Sequence, residues 1–119
     1  MDALRLASES RGASLIVTVA GDLDIVTSQQ FDDYLGQARR RSSHIILDLS
    51  GVDFMDTSSL AVIVSHWKAL SGQGGTLALA GARYRQTKTL WITGLAQRLP
   101  LYGSVEEALA AKPASNAGQ

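Results

Sequence analysis

The sequence predicts an α/β domain on a mixed β-sheet, with an antiparallel hairpin at its amino end, parallel strands after it and about four helices. Three observations carry this. Apolar runs of strand length at residues 15–20, 45–49 and 76–80, the first two rich in β-branched residues, alternate with segments of helical period. The stretches joining the later strands are long enough for helical crossovers, which makes those strands parallel. A weaker alternating run at residues 4–8 is separated from the run 15–20 only by the turn Ser10-Arg11-Gly12, which makes that pair antiparallel.

In chain order, residues 4–8 alternate weakly and pair with the strong strand 15–20, which Gly21 ends by permitting a turn. Asp22 and Asp24 then project from a loop, Asp24 placed to bond backbone ahead of the next helix. Helix one is expected over residues 28–40, capped by Thr27 or Ser28, with Phe31, Leu35 and Ala38 as its buried stripe and Tyr34 at the edge. Asp32 and Asp33 lie nearer its positive end and Arg39-Arg40-Arg41 at its negative end. After the strand 45–49, Ser50-Gly51 reads as a turn and Val52 to Met55 as a second short apolar patch. Asp56 or Thr57 caps the next helix, which buries Leu60, Ala61, Ile63, Val64 and Trp67, leaves Val62, Ser65, His66 and Lys68 nearer solvent, and stops around Ser71-Gly72. Gly74-Gly75 is a loose turn before the strand 76–80; the GQGG string lacks the lysine and hydroxyl of a phosphate loop and precedes a strand. Residues 83–93 allow two helical stripes, Tyr84/Thr87/Leu90/Trp91 or Gln86/Thr89/Leu90/Ile92, with Gly94 closing the helix. Residues 99–102 are short and extended, and Ser104 to Glu107 is a capping box opening a last helix to about Ala111.

With 119 residues the chain suits one domain, expected over 1–112, with 113–119 as a flexible tail of low apolar content. Eleven basic residues balance eleven acidic ones, and the arginine triplet is too small to track a nucleic-acid backbone. Without cysteine there is neither a disulfide framework nor a thiolate metal site, and His44 and His66 lack ligand partners at metal spacing, so no metal or cofactor is expected. No apolar run approaches a membrane span and the start lacks a signal-peptide pattern, so a cytoplasmic protein is expected.

The chemistry concentrates in Asp56-Thr57-Ser58-Ser59, where coil enters helix and a hydroxyl is expected in solvent. A helix amino end carries partial positive charge and open N–H donors, so it tolerates a phosphoryl group, which adds about −1.5 to −2 charges without breaking the helix. Asp22 and Asp24 have no nearby base or metal ligand to make them catalytic. His66 lies roughly 12 Å from Ser58 along the helix, too far for direct serine activation.

The string DLSGVDFMDTSSLAVIV resembles the phosphorylation-site segment of STAS domains, in particular the bacterial anti-sigma factor antagonists. GDLD at Gly21 to Asp24, TGL at Thr93 to Leu95 and SVEEAL at Ser104 to Leu109 fit the same family. The resemblance implies a STAS-like fold and places the phosphorylated hydroxyl on Ser58. Ser59 stands where the family usually has glycine, which leaves Ser59, and after it Thr57, as competing acceptors. It further implies a partner-binding set of Asp22, Asp24, Asp56, Thr57, Ser58, Ser59 and Val62, and favours the second stripe in residues 83–93, with Trp91 outward.

The function so implied is that of an anti-sigma factor antagonist without catalysis of its own. Unphosphorylated, it would bind an anti-sigma factor, a serine kinase using ATP, and free the sigma factor; phosphorylation of Ser58 would end binding, and a serine phosphatase would restore it. Two alternatives stand beside it: a STAS adaptor subunit that is never phosphorylated, in a transporter ATPase or signalling complex, and a receiver-like domain phosphorylated on an aspartate such as Asp48. A hydrolase using Asp56-Thr57-Ser58 lacks a placed base and oxyanion hole.

Overall fold

Alternation along two central strands decides the architecture. Leu15, Val17 and Val19, with Ile45, Leu47 and Leu49, point to one face and join the main core, while Ile16 and Ile46 point to the other. A computed structural model describes residues 3–111, and the tail expected at 113–119, with Lys112, lies outside them. The strands β1 (Arg5–Arg11), β2 (Ser14–Leu23), β3 (His44–Met55), β4 (Thr76–Ala80) and β5 (Leu101–Tyr102) form one sheet in the order β1-β2-β3-β4-β5. Only β1 and β2 pair antiparallel; the other pairs are parallel, as expected.

The crossovers are α1 (Ser28–Arg41) between β2 and β3, α2 (Thr57–Gly72) between β3 and β4, and α3 (Lys88–Ile92) with a 3-10 turn (Leu95–Gln97) between β4 and β5. α1 and α2 cover the main core, burying Phe31, Leu35, Ala38, Leu60, Ile63 and Leu70. The last helix, α4 (Val105–Ala111), sets Ala108 against Ile16, Ile46 and Ala80 on the other face. Half of the expected capping box is present: Ser104 Oγ accepts from Glu107 N–H at 3.2 Å, while Glu107 Oε1 reaches past the cap and accepts from Gly103 N–H at 3.0 Å.

Four expectations about elements are corrected. Ser50-Gly51 is no turn, since β3 runs unbroken to Met55. It absorbs extra residues instead, for Thr18 and Ala20 of β2 face Asp48 and Gly51, and Gly21 and Asp22 face Val52 and Phe54. Such bulges bend and twist the strand end. β2 likewise continues through Gly21 to Leu23; Gly21 has φ +103°, and a Cβ there would meet Ala3 O at 2.4 Å. The helix expected over 83–93 shrinks to Lys88–Ile92, although Gly94 does adopt the left-handed conformation that closes it. On α2, Ala61 is exposed and His66 buried, the reverse of the periodicity argument.

The reversal at His66 has a polar cause. Its Nε2 lies 2.6 Å from Asp32 Oδ1 and its Nδ1 3.1 Å from Arg39 on α1, so the ring bridges two helices. A proton on Nε2 with a bare Nδ1 satisfies both contacts.

Candidate functional site

The site lies where β2 and β3 end, at the carboxyl edge of the parallel strands, where open α/β sheets commonly place their functional groups. Asp56 is extended, at φ −117° and ψ −177°, and its N–H donates to Leu23 O at 3.0 Å, stitching the exit of β3 to the end of β2. Its Oδ1 then accepts from Ser58 N–H at 3.0 Å and Ser59 N–H at 3.4 Å, so of the two candidate caps Asp56 is the one used. The same oxygen accepts the Ser58 hydroxyl at 2.5 Å.

The three hydroxyls differ in access. Thr57 is exposed and Ser58 is half-buried with its Oγ on Asp56. Ser59 is 0% exposed, and its Oγ donates to Asp56 O at 2.8 Å and Leu23 O at 3.4 Å. Ser59 therefore lies inside the seam between β2 and α2, away from any surface where a kinase or partner could reach it. Its place as competing acceptor and as partner contact is corrected on that ground. Val62, one turn on, is half-buried and packs against the core.

Next to this seam sits the loop after β2, which Asp24 organises. Its Oδ1 accepts from the N–H groups of Val26 and Thr27, both at 3.0 Å. Thr27 contributes no side-chain cap to α1 but donates its hydroxyl to Asp22 O at 2.8 Å. Folded back this way, the loop holds up Ile25 and Val26, which are 75% and 82% exposed. Phe54, near the end of β3, is 50% exposed. Isolated exposed apolar residues need no explanation, but these flank the same helix start. Asp22 and Asp24 are half-buried on that flank, so the structure brings them and Asp56 to one end of the sheet.

On the far side, Thr89 donates its hydroxyl to Met55 O at 2.7 Å and anchors α3 to the end of β3. Neither stripe written for 83–93 holds as a whole. Leu90, common to both, is buried, and so is Thr87, whereas Ile92 is 72% exposed. Trp91 is 39% exposed, bonded through Nε1 to Thr87 Oγ1 at 3.2 Å and set against the Tyr84 ring. Thr89 and Ile92 reach this end of the sheet through the docking of α3, which periodicity alone does not give.

Other candidates fall away from this end. Asp48 lies mid-strand with its carboxylate on Ser50 N–H and Oγ, and the strand order runs 1-2-3-4-5, against the 2-1-3-4-5 of receiver-like folds. A cavity of ≈ 490 Å³ near Arg11, His44 and Ala108 sits at the opening end of β3, away from Ser58. Among the described residues no cluster of acidic residues and histidines could hold a metal ion, and no helix is long and apolar enough to cross a membrane.

Comparison with known proteins adds four findings. A family model described as the STAS domain matches residues 5–108. An anti-sigma F factor antagonist of Paenibacillus polymyxa is 32% identical over 108 residues, covering 89% of this chain and 92% of that protein. The crystal structure of an anti-sigma factor antagonist from Mycobacterium paratuberculosis superposes with a TM-score of 0.84 at 25% identity, covering 92% and 93% of the two chains. The Bacillus cell fate determinant SpoIIAA in its phosphorylated form shares the fold, with a TM-score of 0.68 at 20% identity and coverage of 92% and 98%.

Proposed function

This chain belongs to the STAS domain family, and we propose that it is an anti-sigma factor antagonist switched by phosphorylation at Ser58. Unphosphorylated, it binds an anti-sigma factor that is itself a serine kinase, and so releases the sigma factor that kinase holds. The kinase transfers the γ-phosphoryl group of ATP to Ser58: the Oγ–P bond forms as the bond to ADP breaks, and the hydroxyl proton is released. A serine phosphatase reverses the step by hydrolysis. The chain itself supplies no catalysis and acts in the cytoplasm.

The observation that carries this reading is the setting of Ser58. It stands half-buried at the amino end of a 16-residue helix, oriented by the Asp56 cap, beside a rim of exposed apolar side chains. The rim gives a partner apolar surface to bury. The helix end lets a phosphate form there without unfolding the domain. A docked partner would then face a dianion next to the Asp56 carboxylate, and an unmatched buried charge costs several kcal/mol. About 3 to 4 kcal/mol weakens binding by two to three orders of magnitude.

Two variants test it, with the cognate kinase as partner. Ser58→Ala is expected to keep fold and binding and to lose modification; full modification of that variant would move the acceptor elsewhere. Ser58→Asp is expected to weaken binding at least tenfold with little change in Tm. Unfolding of that variant would mean the charge acts through the core, against the surface argument.

A further inference from the structure

Resting on the reading of this face as the docking surface, we propose that the groove between β3, α2 and α3 receives an acidic, apolar segment of the anti-sigma factor. The groove has a volume of ≈ 370 Å³ and is lined by Phe54, Thr57, Arg85, Lys88, Thr89 and Ile92, among others. That is room for one or two apolar side chains, within the size range of specific pockets. Its walls are the exposed rings and branches of Phe54 and Ile92, and the Thr89 bond to Met55 O holds them at a set spacing.

Charge selects the occupant. Arg85 and Lys88 are the ionisable residues lining the groove, both cationic and both exposed. Across Ser58, the other flank carries Asp22, Asp24 and Asp56. A complementary partner brings carboxylates to the α3 side and cations to the β2 side, and juxtaposing the charges the other way is unfavourable on both flanks. The two flanks thus fix the orientation in which the partner meets Ser58, with apolar anchors at the centre and charge at the rim.

The test uses the full chain labelled for NMR and a twelve-residue synthetic peptide with Glu and Leu on one helical face. A peptide with Lys in place of Glu is the control. Saturable shifts are expected at amides of residues 54–57 and 85–93, with at least tenfold weaker binding for the Lys peptide. Replacing both Arg85→Gln and Lys88→Gln is expected to weaken the acidic peptide by a similar factor, and Glu9→Gln, exposed on the edge strand β1, to leave it unchanged. No binding, equal binding of both peptides, or shifts mapping elsewhere would overturn the proposal. So would shifts of these amides on concentrating the protein alone, since its own acidic and apolar Asp22 to Val26 loop would make a second copy the occupant. Failure here with intact Ser58 behaviour sinks only the groove assignment; peptide binding in the groove with no effect of Ser58→Asp on the kinase sinks the switch and leaves the groove.

Discussion

Asp56 Oδ1 serves both the fold and the site, because the oxygen that caps α2 also orients the Ser58 hydroxyl. Removing it separates the two contributions. Asp56→Ala is expected to cost about 1 kcal/mol, the usual value of an N-cap, or a Tm drop of about 4 °C in a domain of this size. Asp56→Asn keeps an acceptor and should cost far less; equal losses by thermal denaturation would show that charge, not the cap geometry, stabilises the helix start. The cap was legible in the sequence, since an acidic residue before a helical-period run has few other uses. The fate of Ser59 was not. Ser58 and Ser59 are chemically alike, and only the return of β2 alongside, with Leu23 O facing the helix, turns one hydroxyl inward and leaves the other outward.

Between elements, the α1–α2 contact shows a similar limit. Periodicity put His66 toward solvent, yet Asp32 and Arg39 draw it into the helix interface, and that pairing spans residues far apart in sequence. Strand extents were misjudged for a related reason: Gly21 and Ser50-Gly51 look like turn chemistry, but parallel pairing carries β2 and β3 through them as bulged strand. The hairpin, the three crossovers and the Ser104 cap of α4, all local patterns, were readable directly. Since His66 is structural, His66→Ala is expected to destabilise by about 2 kcal/mol, through lost packing and loss of an acceptor for Arg39. The rate of Ser58 phosphorylation, measured well below Tm, should stay within about twofold. A large fall in that rate with the variant fully folded would give His66 a role in the switch that this packing does not supply.

For the whole molecule, stability is expected to grade from β3 toward β5 and α3. β3 is held on both edges by parallel partners and contributes the buried run Ile45, Ile46, Leu47 and Leu49, whereas β5 is two residues long and α3 five. Elements with few buried apolar contacts open locally at a small fraction of the global unfolding free energy. Native-state hydrogen exchange is therefore expected to show the amides of residues 45–49 exchanging only by global unfolding, and those of α3 and β5 at least a hundredfold faster. α2 should resemble β3 from Leu60 onward, so that Ser58 sits on a firm helix while the α3 wall of the groove can adjust to what docks there. The interface would then combine a rigid, charge-switched centre with one adaptable flank, and partner binding should slow exchange in α3 more than in α2. Equal protection of α3 and β3 in the free protein would remove that adaptable flank and require the partner to fit a fixed groove.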